Sequence, residues 1–119
     1  MGEDDVLVVD VGQHEMFSAQ RAFNKKSRKF LASGGLVTMG FSLPTSLGAT
    51  FSGFDTWSIS GDGGFQMNIQ ELATIAQFNL PVKIIILNNS FLGMVRQWQE
   101  LFFDRNYVDT PMWNPDFVK

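Results

Sequence analysis

The chain has 119 residues, of which 45% are hydrophobic and 13% aromatic, and its formal net charge is −3. These values are typical of one packed domain and exclude a disordered chain. The negative net charge does not indicate a surface that binds nucleic acid. No apolar run approaches the roughly 20 residues of a membrane span, and without cysteine the chain has no disulfide or thiolate chemistry, so we expect a cytoplasmic protein. Five of the nine basic residues fall within residues 21–29, where a solvated loop is expected.

The first half of the sequence alternates β-rich runs with segments that can form helices. Residues 6–10 predict a strand, and residues 13–23 can form the helix after it. Residues 30–33 predict a second strand. After two glycines, a helix rich in small residues is expected over about 39–50, with Pro44 in its first turns.

The second half contains the clearest strand–helix–strand unit. Residues 57–60 predict a strand, the stretch GDGG at 61–64 a turn, and residues 65–78 a helix. The apolar residues at helical spacing are Ile69, Leu72, Ala73 and Ala76. The run VKIIIL at Val82–Leu87 then predicts a strand buried on both faces, as in parallel sheets.

This alternation predicts an open, doubly wound α/β sheet, mostly parallel, with helices on both faces and incomplete at its C-terminus. In such sheets ligands bind beyond the carboxyl ends of the strands. The candidate strands end in VGQH, SGG, GDGG and NNS. We therefore expect glycine-rich and amide-rich turns to lie together along one edge.

Residues 91–119 differ from the rest because they hold nearly half of the aromatic residues. These are Phe91, Trp98, Phe102, Phe103, Tyr107, Trp113 and Phe117. A four-stranded sheet cannot cover them all, and exposed aromatic surface usually marks an interface. We expect residues 1–119 to form one partial domain of a larger protein, with self-association through this aromatic segment.

Asp62 lies among glycines that would bring the backbone close to a ligand, although a carboxylate repels a phosphate. Asn89 follows the next strand, and neighbouring parallel strands bring their carboxyl ends together. A carboxylate, a carboxamide oxygen and a backbone carbonyl after Asn89 would be hard ligands for Mg²⁺, which supplies the missing positive charge. From the residues alone, the same positions also fit an N-cap at Asp62 and a turn at Asn89.

The two common phosphate-binding loops are absent. The dinucleotide fingerprint needs glycine where Gln66 stands, and no G-K-[ST] sequence occurs. An anion at this edge would therefore be held through a metal ion and not by a lysine-containing loop.

Four stretches carry a family resemblance: DVGQH, FLASGGLVTMGFSLP, GDGGFQMNIQELATIAQFNLPVKIIILNN and LGMVRQWQELFF. GDG followed at this spacing by NN resembles the diphosphate-binding signature of thiamine-diphosphate enzymes. GMVRQW narrows the resemblance to the large catalytic subunit of acetohydroxyacid synthase, also called acetolactate synthase. The resemblance runs from about residue 5 to the end of the chain and corresponds to roughly the front two-thirds of that subunit's diphosphate-binding domain.

The resemblance implies thiamine diphosphate and Mg²⁺ as cofactors. Asp62, Asn89 and the backbone carbonyl of Phe91 would ligate the metal. The implied cofactor-binding residues are Val11, Gly12, Gln13, His14, Val37, Met39, Gly61, Asp62, Gly63, Gly64, Asn89, Phe91, Gly93 and Met94. The turn after the first strand would meet the diphosphate.

The resemblance also gives roles to three large apolar side chains. Met39 would support the bent cofactor, while Met94 and Trp98 would bind substrate, with the tryptophan favouring 2-oxobutyrate over pyruvate as second substrate. By residue type alone, Met39 also fits a core filler, Trp98 an interface residue and His14 an exposed turn residue.

Two positions depart from the family pattern. Val37 stands where the family usually has glycine, and a β-branched residue there restricts φ and could crowd the cofactor. Gly64 stands where serine is common. The departure at residue 37 affects fine geometry more than cofactor binding.

The family's complete chain is several times longer, with a pyrimidine-binding domain and a middle domain associated with FAD. The glutamate that protonates the cofactor lies on the former, so no catalytic residue is expected in these 119 residues, and no turnover by them alone. The implied reaction joins pyruvate to a second pyruvate or to 2-oxobutyrate in branched-chain amino acid biosynthesis. A homo-oligomer and a regulatory small subunit are the implied partners.

Two alternatives stay open. One is another thiamine-diphosphate carboligase or decarboxylase, such as pyruvate oxidase or glyoxylate carboligase, against which GMVRQW argues. The other is a non-catalytic cofactor-binding or assembly module.

Overall fold

The computed structural model describes residues 1–2, 4–22 and 29–119. The end of the first predicted helix, at residue 23, and most of the basic segment at 21–29 lie outside the described residues. Within these ranges the chain forms four strands and five helices.

The strands and helices alternate as the sequence predicts. They are β1 (Val6–Val9), α1 (Gln13–Arg21), β2 (Phe30–Ala32), α2 (Ser42–Thr50), β3 (Thr56–Gly61), α3 (Asp62–Met67), α4 (Glu71–Gln77), β4 (Val82–Leu87) and α5 (Gly93–Phe102). Pro44 lies in the first turn of α2, where its missing N–H breaks no helical hydrogen bond. No helix in the described part of the chain has the length and apolar character needed to cross a membrane.

All four strands run parallel in one sheet, in the order β2–β1–β3–β4. The predicted parallel α/β architecture is therefore confirmed. Because parallel strands share a direction, the turns after them lie at one edge of the sheet. Gly61 of β3 pairs with Leu87 of β4, so Asp62 and Asn88 leave the sheet side by side.

The core is centred on β1, whose residues are at most 4% exposed. A strand buried on both faces needs covering layers on both sides of the sheet. The α2 helix packs against β1 and β3, and the buried residues of β3 are the small Thr56, Ser58 and Ser60. On the other face, Leu7 and Ile59 border a hollow beside α1.

The stretch GDGG is not a turn, so this prediction is wrong. Residues 62–64 form the first turn of α3. Close packing requires the glycines: a Cβ on Gly63 would lie 3.0 Å from Leu92 Cδ2, and a Cβ on Gly64 would lie 2.6 Å from Asp10 Oδ1. A serine at position 64 would therefore not fit without a shift of Asp10.

The prediction of one helix over residues 65–78 is also wrong, because the chain forms α3 and α4 with a break between them. At the break, Asn68 has φ −132° and ψ 30°, and its Nδ2 donates to the carbonyl oxygen of Gly40 at 2.8 Å. A contact with a distant loop thus overrides a helical pattern in the local sequence.

β4 is less buried than predicted. Ile85 and Leu87 are 39% and 50% exposed, because both border the hollow beside α1, where this face of the sheet is incompletely covered. Two alanines of the apolar set on the preceding helix α4, Ala73 and Ala76, are exposed as well. The continuous apolar pattern of β4 therefore does not report burial in this chain.

The C-terminal aromatic residues are mostly exposed, as predicted. Trp113 is 98% exposed, and Trp98 and Phe102 are more than half exposed. Phe117 differs, because it packs edge to face on Phe65 with ring centres 5.6 Å apart. The role of this surface as an interface stays a prediction.

Candidate functional site

A cleft of about 690 Å³ lies at the carboxyl edge of the sheet, a size common for small-molecule sites. It is lined by all the predicted cofactor- and substrate-binding residues except Val37. These are Val11, Gly12, Gln13, His14, Met39, Gly61, Asp62, Gly63, Gly64, Asn89, Phe91, Gly93, Met94 and Trp98. The structure therefore brings together residues from four separate segments of the chain.

The carboxylate of Asp62 is 2% exposed and contacts the loop after β4. Its Oδ2 accepts the backbone N–H of Ser90 at 2.8 Å. In the same loop, Asn89 Oδ1 accepts the backbone N–H of Phe91 at 3.0 Å, and Ser90 has a left-handed φ of 60°. The loop therefore turns tightly against Asp62.

By residue type, Asp62 also fits an N-cap and Asn89 a turn former. The first of these alternatives is wrong and the second is confirmed. The N-cap of α3 is Gly61, and no side chain caps this helix, so Asp62 is not a capping residue. Asn89 does form a turn through its own side chain. A turn-forming oxygen keeps a second lone pair, so this role is compatible with metal binding.

A short antiparallel pairing holds the outer side of this loop. The backbone N–H of Leu92 donates to the carbonyl of Thr110, and that of Met112 donates to the carbonyl of Ser90, both at 2.8 Å. We call this pairing of residues 90–92 with 110–112 the clasp. It brings the C-terminal segment across the loop.

The guanidinium of Arg96 stacks on two rings beside the clasp. Its central carbon lies 4.5 Å from the ring centre of Phe91 and 4.0 Å from that of Tyr107. Such stacking is favourable for arginine. It fixes the Phe91 side chain against α5.

His14 is buried, being 9% exposed, so the alternative of an exposed turn residue is wrong. Its Nε2 accepts the backbone N–H of Gly61 at 3.2 Å. Burial lowers the pKa of His14 below its ordinary value of 6.5, and the nearby Asp10 and Asp62 only partly offset this effect. A neutral imidazole therefore faces the cleft and brings no positive charge to an anion.

We expect the free energy of unfolding to fall as the pH is lowered through 6.5, the ordinary pKa of His14. The sign follows because the unfolded chain binds the proton more readily than the buried ring does. His14→Gln keeps a polar partner without titrating, so it should flatten this dependence in urea unfolding at about pH 7.5 and about pH 5.5.

Comparing His14→Gln with the unmodified protein isolates the titration of the imidazole. His14 is the single histidine, and Glu15, whose pKa burial raises, is common to both proteins. An equal pH dependence in the variant and the unmodified protein would contradict the prediction.

Gln13 and the first turns of α5 form the far wall of the cleft. Gln13 Nε2 donates to Gln97 Oε1 at 2.9 Å. A Cβ on Gly93 would lie 2.5 Å from Gln13 Oε1, so a glycine at the start of α5 permits this approach. Met94 and Trp98 follow at i and i+4 on one face of α5, and both line the cleft.

Val37 lies outside the cleft and is 51% exposed. Its backbone has φ 53°, in the left-handed region that β-branched residues avoid. The departure from glycine therefore carries a backbone cost.

Val37→Gly is expected to raise the free energy of unfolding by about 1 kcal/mol. Relief of the strained φ stabilises the folded state by about 1–3 kcal/mol. The greater conformational entropy of glycine in the unfolded chain offsets about 0.5–1 kcal/mol of this gain. Urea unfolding measures the difference. The matched control is Leu36→Gly at a neighbouring residue that is 94% exposed and has no positive φ; it should lose stability, and an equal loss in both variants would refute the prediction.

Asp10 was not singled out by the sequence, yet it organises the loop that carries Met39. It is fully buried. Its carboxylate accepts the backbone N–H groups of Val11 at 2.8 Å, Gly40 at 2.9 Å and Ser42 at 2.9 Å. This ties the end of β1 to the start of α2 and explains why the helix begins at Ser42 and not near residue 39. The available signal was a carboxylate directly after a buried strand.

Asn114 is the second residue that the sequence did not indicate. Its Nδ2 donates to Asp62 Oδ2 at 2.6 Å and to Asn88 Oδ1 at 2.8 Å. Its Oδ1 accepts Gln66 Nε2 at 2.9 Å. Asn114 follows Asp62 by 52 residues, so no local pattern connects the two.

The charge in the cleft fits a metal-assisted anion site. Among the described residues that line it, Asp62 is the single carboxylate and none is lysine or arginine. No group of three or more His, Cys, Asp or Glu residues suited to a metal occurs in the described ranges, so any ion here depends on amide and carbonyl oxygens beside Asp62. That donor set, with room for phosphate oxygens, suits Mg²⁺.

Residues 10–119 match a protein-family model described as thiamine pyrophosphate enzyme, C-terminal TPP binding domain. The chain belongs to the thiamine pyrophosphate enzyme family. The resemblance carried by the four sequence stretches is thereby confirmed.

Within this family the chain is similar to acetolactate synthases. It is 50% identical to an acetolactate synthase of Mycobacterium bovis, with 99% of this chain and 20% of that protein aligned. It is 48% identical to the acetolactate synthase isozyme 2 large subunit of Escherichia coli, with 97% and 22% aligned. The large subunit of Corynebacterium glutamicum is 47% identical, with 99% and 20% aligned. The chain thus spans about a fifth of the length of these curated relatives.

Proposed function

We propose that the chain is the thiamine-diphosphate-binding part of an acetolactate synthase large subunit. In the complete protein it would hold the cofactor through Mg²⁺ for the decarboxylation of pyruvate and its joining to a second 2-oxoacid. The products would be 2-acetolactate or 2-aceto-2-hydroxybutyrate. When bound, the cofactor supplies the electron sink that a 2-oxoacid needs to lose carbon dioxide.

The observation that carries the proposal is the hydrogen bond from the Ser90 N–H to Asp62 Oδ2 at 2.8 Å. It brings the loop of Asn89 and Phe91 against Asp62 on the wall of the cleft. This contact supports a site in which a carboxylate oxygen of Asp62, the carboxamide oxygen of Asn89 and the backbone carbonyl of Phe91 would lie close together. These three groups are the proposed Mg²⁺ ligands.

Other residues of the chain would bind the cofactor and shield the reacting groups from water. The turn at residues 11–14 borders the cleft and would meet the diphosphate, with His14 neutral at neutral pH because burial lowers its pKa. Met39 would support the cofactor, and Met94 and Trp98 would exclude water from the substrate side. An apolar wall of this kind distinguishes one methylene by roughly 1–3 kcal/mol, which suits a choice between pyruvate and 2-oxobutyrate.

Calorimetric titration of the purified protein with thiamine diphosphate, with and without Mg²⁺, tests the proposal. We expect binding that requires the divalent ion. Binding of equal affinity after exhaustive chelation would overturn the proposed metal site.

Product analysis on pyruvate tests the reaction. Acetolactate is expected from the complete protein. Acetate in its place, or tartronate semialdehyde when glyoxylate is supplied instead of pyruvate, would favour another carboligase of the family, and saturable cofactor binding without any product would favour a binding module. The 119 residues alone are expected to give no product, since the proton-transferring glutamate of the family lies on another domain.

The proposal extends to the rest of the complete protein through its similarity to acetolactate synthases. It would be a cytoplasmic homodimer or homotetramer with FAD on a middle domain and, in some settings, a regulatory small subunit. Flavin absorbance and mass in solution test these points directly.

A further inference from the structure

We propose that Asn114 is a positioning residue that restricts Asp62 to one metal-facing oxygen and so favours Mg²⁺ over Ca²⁺. The inference rests on the proposed function, because it concerns the same metal site. It assigns a role in metal selectivity to a side chain far from the metal-binding sequence motif.

The two carboxylate oxygens of Asp62 have different hydrogen-bond partners. Both hydrogen bonds that its carboxylate accepts from the described residues fall on Oδ2: one from the Ser90 N–H at 2.8 Å and one from Asn114 Nδ2 at 2.6 Å. Oδ2 is therefore engaged twice by protein donors. Oδ1 is the oxygen that remains to meet an ion.

The orientation of the Asn114 amide is determined on both sides. Its Oδ1 accepts Gln66 Nε2 at 2.9 Å, and Gln66 also donates to the Asp62 carbonyl at 3.2 Å. Its Nδ2 uses a second hydrogen on Asn88 Oδ1 at 2.8 Å. If the amide were reversed, its oxygen would face the side-chain oxygens of Asp62 and Asn88. The Nδ2 atom of Asn114 is therefore the one that faces Asp62.

The backbone holds this side chain in place as well. The clasp pairs Met112 with Ser90 at 2.8 Å, and Asn114 follows two residues later. The same segment thus fixes the loop that carries Asn89 and delivers the amide that engages Asp62.

The two ions differ in what they accept from a carboxylate. Mg²⁺ requires a nearly ideal octahedron at about 2.0–2.1 Å, which one oxygen per carboxylate satisfies, whereas Ca²⁺ takes about 6–8 oxygens and readily binds a carboxylate through both. Engaging Oδ2 with two N–H donors disfavours the two-oxygen mode. Removing one donor frees that mode for Ca²⁺.

Asn114→Ala tests the inference in the purified protein, with Asn106→Ala as matched control because Asn106 is exposed on a loop outside the cleft. Affinities for Mg²⁺ and for Ca²⁺ are measured by calorimetry in the presence of thiamine diphosphate. We expect Mg²⁺ affinity to fall about 10-fold, the lower end for loss of a partner behind a metal ligand, and Ca²⁺ affinity to change little. The Mg²⁺/Ca²⁺ preference should therefore drop about 10-fold, with no change in the control.

Asn114→Asp keeps the side-chain shape and gives a second measurement. Without metal or cofactor, two carboxylates at this contact repel each other, so thermal unfolding should occur at a lower temperature than in the unmodified protein. Added divalent ion should then raise the unfolding temperature more than in the unmodified protein, with a preference shifted toward Ca²⁺. This readout does not depend on enzyme activity.

The outcomes separate the inference from the proposed function. An unchanged Mg²⁺/Ca²⁺ preference in both Asn114 variants, with metal-dependent binding intact, overturns the inference alone. Cofactor binding by the unmodified protein that ignores divalent ions overturns both. A shifted preference in either folded variant supports the inference.

Discussion

Asp62→Asn is expected to weaken Mg²⁺-dependent binding of thiamine diphosphate by about 100-fold or more, since loss of a mere outer-shell partner already costs 10- to 100-fold. The substitution removes the single carboxylate among the described residues of the cleft wall. In the variant, the N–H groups of Ser90 and Asn114 that now bind Oδ2 would hold the amide oxygen in the same place. The amide's own NH₂ would then point at the ion.

Calorimetric titration with thiamine diphosphate at saturating Mg²⁺ measures this loss. Asp116→Asn serves as the control, because that carboxylate is 52% exposed and pairs with Lys119 at the surface. Wild-type affinity in the Asp62 variant would remove this residue from the proposed metal shell.

Asp10→Ala is expected to lower the free energy of unfolding by about 3–5 kcal/mol. It leaves the backbone N–H groups of Val11, Gly40 and Ser42 without their acceptor. Each unsatisfied buried donor costs about 1–3 kcal/mol, partly relieved where water enters. Asp10→Asn keeps one acceptor oxygen and should lose less.

Urea unfolding monitored by tryptophan fluorescence measures the Asp10 variants. A loss below about 1 kcal/mol for Asp10→Ala, the size of an ordinary substitution, would show that the buried carboxylate does not organise this loop. The order alanine, asparagine, wild type in rising stability is part of the expectation.

The sheet and the cleft could be predicted from the sequence because local patterns encode them. β4 was predicted with its observed bounds, Val82–Leu87, since an apolar run followed by two asparagines leaves little choice. Parallel strands must end at one edge, so the convergence of their turns follows from fold class alone. The placement of Asp62 beside the Asn89 loop needed no further information.

The features that the sequence did not reveal depend on contacts between distant residues. The break at Asn68 follows from its hydrogen bond to Gly40, which no helical pattern contains. The exposure of Leu87 follows from the incomplete cover over one face of β4, and the same apolar run would also occur in a fully covered strand. Asn114 is an ordinary loop asparagine until its partners are known.

The clasp also bears on the order in which the molecule is built. β3 and β4 pair within one compact βαβ crossover, but the contact of Asp62 with Asn114 spans 52 residues. Closing a longer segment costs more chain entropy before any contact compensates for it. During synthesis β3 and β4 can therefore pair before Asn114 reaches Asp62, so we expect the hydrogen bond between Asn114 and the Asp62 carboxylate to be among the last contacts of this chain to form.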